Sequence, residues 1–84
     1  MTTTDAIKEF EDKVTHLYES EYGDFKRKLG LYMRRLEQDL GEATTREMKL
    51  KLSELKHEIV YSPESTNIET ARSRALEVVR SMRS

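Results

Sequence analysis

The sequence predicts an all-α protein. The first forty residues carry apolar side chains at helical spacing, two later segments repeat that spacing, and no β-branched alternation competes with it. The expected architecture is an antiparallel helical hairpin in a single domain, residues 1–84. One long helix, with Gly23 as the place for any bend, packs on two shorter helices separated at Pro63. Their expected bounds are approximately 4–41, 45–61 and 66–82.

The long helix rests on Ile7, Phe10, Val14, Leu17, Tyr18, Tyr22, Phe25, Leu29, Tyr32, Met33, Leu36 and Leu40. At about 100° per residue they all fall within roughly 80° of one line. Ile7, Tyr18, Leu29 and Leu40 are spaced by eleven, as are Val14, Phe25 and Leu36. That period, ~3.67 residues per turn, keeps the stripe on one side of a nearly straight helix. Thr3 or Thr4 suits the N-cap, with Asp5 in the first turn. Gly41 suits the stop. Gly23 and Gly30 each cost ~1 kcal/mol against Ala inside a helix, but both lie opposite the stripe. The rival is a compact bundle of four short helices, broken at Gly23 with Asp24 as the new cap. The unbroken phase favours one helix.

The second helix starts at Thr44-Thr45-Arg46-Glu47, which matches a capping box between Thr44 and Glu47. Met48, Leu52, Leu55 and Ile59 form its apolar face, and Pro63 ends it. Thr66-Asn67-Ile68-Glu69 matches a second capping box. Ile68, Ala71, Ala75, Val78, Val79 and Met82 then share a face, with Leu76 beside it. Arg80 and Arg83 suit the negative end of that helix. A helix of ~38 residues is ~57 Å long, and the two shorter ones together span ~52 Å. The second helix therefore lies back along residues 25–41 and the third along residues 5–22.

The composition bounds what this fold can do. The chain has 84 residues, 15 basic and 16 acidic, for a net charge of −1. It has no cysteine, which removes disulfides, thiolate metal sites and thiol nucleophiles. No run approaches the ~18 apolar residues of a membrane span. The start, MTTTDAIKEFEDK, has neither a basic region nor an apolar one, so a cytoplasmic location is expected. Charge is segregated: residues 5–24 carry −5 and residues 25–35 carry +5. The hairpin sets the acidic stretch beside Arg72, Arg74, Arg80 and Arg83, which favours its alignment.

A two-layer hairpin leaves its seam half wet, and chains below ~70–80 residues rarely gain more than 3–5 kcal/mol from one core. A homodimer, or capture of a helical segment of another protein, would cover it. The expected interface is Phe25, Leu29, Tyr32, Leu36, Met48, Leu52, Leu55 and Ile59. The expected function is a small non-enzymatic interaction module, an adaptor, chaperone-like or regulatory protein, working by helix-in-groove packing. Leu31, Leu50, Val60 and Tyr61 lie off the stripe. Of these, Leu50 and Tyr61 line up with His57 as a secondary patch. The alternative is nucleic-acid binding, with Lys26, Arg27, Lys28, Arg34 and Arg35 contacting phosphates. Near-zero net charge weighs against it.

Catalysis has little to build on. Glu54-Leu55-Lys56-His57 has the Glu-x-x-His spacing of di-iron bundles, but His57 projects away from the apolar face. Asp12 and His16 also face outward. No metal, cofactor, small-molecule substrate or catalytic group is expected. Ser62-Pro63 reads as a helix-ending turn, or as a phosphorylation site in a eukaryotic host.

Overall fold

A computed structural model describes residues 2–61 and 67–82, the Val60 side chain excepted. Ser62, Pro63, Thr66 and Arg83, on which a helix stop, a cap, a phosphorylation site and a terminal charge were expected, lie outside the described residues. Among the described residues there are four α-helices and no strand. They are α1 (Thr3–Thr15), α2 (Tyr22–Leu40), α3 (Arg46–Val60) and α4 (Ile68–Ser81), with a 3-10 turn at Gly41–Ala43.

The all-α class agrees with the sequence pattern. The single long helix does not: it is interrupted over residues 16–21. The break precedes Gly23, which lies in the first turn of α2, where Asp24 also falls rather than at the cap. Gly30 is mid-helix. Glu21 holds the N-cap position and makes no capping bond from its side chain.

The other caps are set by single side chains. Thr2, one residue before the expected caps, accepts from the Asp5 N–H at 3.1 Å. Thr45, not Thr44, caps α3 and accepts from the Met48 N–H at 3.2 Å. Met48 Sδ, not Glu47, completes that box by accepting from the Thr45 N–H at 3.5 Å. The Thr44 hydroxyl instead donates to the Gly41 carbonyl at 2.8 Å, within the 3-10 turn. Asn67 caps α4 by accepting from the Glu69 N–H at 2.7 Å. Gly41 ends α2 with φ +49°, a backbone angle that side chains with a Cβ resist.

Two helix pairings are marked by ion pairs. The Lys56 ammonium lies 3.0 Å from Glu37, joining α3 to α2, and the Arg80 guanidinium lies 3.8 Å from Glu11, joining α4 to α1. Two further pairings arise because the chain folds in half. Lys13 of α1 sits 5.7 Å over the Tyr32 ring of α2. Arg74 of α4 forks the Glu58 carboxylate of α3 at 3.0 and 3.1 Å. Each helix therefore packs against its two neighbours in an antiparallel ring, α1–α2–α3–α4. The Cα envelope measures 35 × 22 × 19 Å, far shorter than the ~57 Å of an unbroken first helix.

Folding in half dries the seam without a second molecule. Ile7, Phe25, Leu29, Leu55, Ala75 and Val79 have no exposed surface, and Leu36, Leu52, Met48 and Ile59 are buried with them. Burying a Val, Leu, Ile or Phe side chain gains about 1.5–3 kcal/mol. Giving up a few helical hydrogen bonds at residues 16–21 costs about 0.5–1.5 kcal/mol each. The apolar gain decides the fold. Of the eight residues expected to face a partner, seven lie in the chain's own core and Tyr32 is half-buried against it. Among the described residues the closed bundle leaves no free seam.

The one buried charged side chain among the described residues is Arg72. It was expected to face the acidic stretch. Instead its Nε donates to the Val14 carbonyl at 3.2 Å and its Nη2 to the Leu17 carbonyl. Its Nη1 pairs with Glu69. In a continuous helix those two carbonyls would accept from residues 18 and 21. The Thr15 hydroxyl and the His16 ring turn back to the Glu11 and Asp12 carbonyls, at 2.7 and 2.8 Å. The interruption is thus a satisfied terminus held from α4.

Candidate functional site

On α3, Leu50, His57 and Tyr61 recur at spacings of seven and four. That places them about 150–170° from the line of Met48, Leu52, Leu55 and Ile59, which α3 turns inward. All three are exposed, Leu50 at 57% and Tyr61 at 74%. The His57 and Tyr61 rings touch, with centroids 4.6 Å apart and planes inclined at 46°. Tyr61 is the C-cap residue of α3, and its N–H donates to the His57 carbonyl at 3.1 Å.

Ion pairs border this row on both sides. Lys56 reaches Glu37 of α2 on one flank, and Glu58 reaches Arg74 of α4 on the other. The hydrogen bonds from Arg74, and then its charge, hold the Glu58 carboxyl below the usual glutamate range. The same bonds raise Arg74. Lys51 of α3 donates to the Ser81 hydroxyl of α4 at 3.2 Å. The helix that carries the row is therefore tied to both neighbours.

The basic residues of α2 do not form one surface. At helical spacing Lys26 lies toward one flank, Lys28 and Arg35 toward the other, and Arg27 and Arg34 on the outer side. Most have local partners. Lys28 is paired with Glu19, whose hydrogen bond and charge raise the lysine pKa. Arg27 lies 3.3 Å from Asp24 and Arg35 lies 3.2 Å from Asp39. Lys26 sits 5.4 Å over the Tyr22 ring, and Arg34 is exposed.

Among the described residues, no three or more His, Asp or Glu side chains come together to hold a metal ion. Glu54 and His57 are exposed, and His16 lies 3.5 Å from Asp12 at the end of α1. Several open depressions are present. One, about 330 Å³, is lined by Thr3, Met48, Lys51 and Met82 at the end of the bundle. Another, about 360 Å³, lies between α2 and α3 at Glu37, Leu52 and Lys56. A third, about 450 Å³, is a shallow one on α1 at Lys8, Glu11 and Thr15. Among the described residues no helix is long and apolar enough to cross a membrane.

The sequence pattern anticipated the α3 row as secondary and missed the role of Arg72. The available signal was its place beside Ala71 and near Ala75, small core residues that leave room for a guanidinium. No family model matches the chain, and neither does any curated protein or solved structure.

Proposed function

We propose that this protein is a small non-enzymatic interaction module, adaptor-like or regulatory, acting in the cytoplasm. Its recruiting surface is the outer face of α3, and its partner is a helical segment of another protein. The observation that carries this reading is the exposed Leu50–His57–Tyr61 row, an aliphatic side chain and two touching rings with a charged rim on a helix tied at both flanks. Apolar anchors ringed by polar groups suit helix-on-helix recognition, with aromatic residues supplying area at low entropic cost. Pairing of two hairpins through the main seam would require this bundle to open, because its own halves occupy that seam.

A photo-crosslinking residue at position 61, compared with one at position 27 on the outer side of α2, tests the assignment in a native lysate. The expected result is a discrete adduct from position 61 only, competed by unlabelled protein and lost with Leu50→Ser. Equal adducts from both positions, or an adduct indifferent to Leu50→Ser, overturn it.

A further inference from the structure

We propose that the chain has a second, open form in which residues 16–21 become helical, α1 and α2 fuse, and two copies exchange α1. The occupant of the site that α1 leaves is the α1 of a second identical chain. This surface is separate from the α3 face, so either assignment stands without the other.

Tyr18 carries the inference. It belongs to the eleven-residue series Ile7, Tyr18, Leu29 and Leu40. The other three members are buried, at 0, 0 and 4% exposure, while Tyr18 is 74% exposed. Its ring lies 5.0 Å from the Arg72 guanidinium. A helix running through residues 16–21 returns Tyr18 to the apolar line, where the antiparallel long helix of a second copy would cover it.

Nothing in the connecting segment forbids that helix. His16-Leu17-Tyr18-Glu19-Ser20-Glu21 contains neither Gly nor Pro. Among the described residues, Gly41 alone has a positive φ. Within the segment, the Leu17 N–H donates to the Val14 carbonyl at 3.2 Å and the His16 ring lies 2.8 Å from the Asp12 carbonyl; the longer-range holds come from outside it. Arg72 takes the Val14 and Leu17 carbonyls, and Lys28 pairs with Glu19. On opening, those carbonyls pass to the Tyr18 and Glu21 N–H groups.

The exchange keeps nearly every other contact. In the closed chain α1 packs antiparallel to α2 and α4. With the fused helices of two copies antiparallel about residues 22–23, the midpoint of the Lys13–Tyr32 contact, each α1 meets the partner's α2 and α4 in the same arrangement. Exchange of an identical element is a low-cost route to a dimer. A short connection gives the closed form an effective concentration of order mM, so the wild-type chain is monomeric at micromolar concentration.

The test uses hinge variants of the full chain, weighed by light scattering across a concentration series. Ser20→Ala favours the fused helix, because residue 20 is helical only in the open form. Ser20→Pro opposes it, with Ser20→Gly as the milder counterpart should the proline variant not fold. The expected result is an association constant about fivefold above wild type for the alanine variant, by the propensity difference of Ser in each of two chains, and none measurable for the proline or glycine variant. Because the chain has no cysteine, Lys13→Cys/Tyr32→Cys with a short bis-maleimide reports which chain supplies α1. Cross-links within one chain in the monomer and between chains in the dimer support the exchange. Equal association of alanine and proline variants, or a dimer cross-linked only within its chains, overturns it.

Discussion

The Arg72 guanidinium donates to the Val14 carbonyl at 3.2 Å, across 58 positions of sequence. A second donor from the same side chain holds Leu17, so one residue of α4 terminates α1. With Arg72 only 7% exposed, water does not replace these bonds. The Val14 carbonyl also accepts from the Leu17 N–H at 3.2 Å, so it is the buried Leu17 carbonyl that loses its partner without Arg72, at a cost of about 1–3 kcal/mol. Arg72→Met is therefore expected to destabilise the chain by about 1–3 kcal/mol, read from urea unfolding. Arg72→Lys should recover less than half of the loss, because an ammonium lacks the planar fork.

Gly30 and Gly41 separate two uses of glycine. Gly30 lies inside α2 with no atom within 4 Å of a Cβ built on it. Gly30→Ala should stabilise by about 1 kcal/mol. Gly41 has φ +49° between α2 and the 3-10 turn. Gly41→Ala should destabilise by about 1–3 kcal/mol despite equally open space. Thermal unfolding of the two variants should move in opposite directions.

Much of this fold could be read from local pattern, and one decisive feature could not. Met48, Leu52, Leu55 and Ile59 mark α3 to within a residue or two, and Leu50, His57 and Tyr61 fall on the outer face as their spacing requires. The series through Val14, Leu17 and Tyr18 is equally compatible with an unbroken helix, because phase reports only which side would be buried. Interrupting it is a tertiary choice. The fold-back covers Phe25 and Leu29 with the chain's own helices, and Arg72 supplies a terminus that residues 16–21 do not encode. Gly23 marked the break only in the rival four-helix reading, and the chain breaks before it, over residues 16–21, with Gly23 in the first turn of α2.

The Glu58–Arg74 fork makes Glu58 one contributor to acid stability. Its hydrogen bonds lower the Glu58 pKa in the folded chain. Its contribution is complete above the unfolded glutamate value, about 4.3, and is lost as pH falls through the depressed folded value. The pair is part-exposed, so salt weakens it. Glu58→Gln should flatten the fall in melting temperature below about pH 5 and leave a smaller response to added salt. A slope equal to wild type would remove the fork from the acid transition.

Leu50 and Leu55 stand five residues apart on α3 with opposite surroundings, 57% and 0% exposed. Leu55→Ala should cost about 2–5 kcal/mol, the range for a buried leucine whose site does not collapse. Leu55→Asp should remove helical circular dichroism altogether, because an unpaired carboxylate would enter a core that has no partner for it. Leu50→Asp should leave stability within about 0.5 kcal/mol of wild type, since the side chain meets water already. It should nevertheless abolish adduct formation from position 61. Were Leu55→Asp to remain folded while Leu50→Asp unfolded, the inward and outward faces of α3 would be exchanged, and the recruiting surface with them.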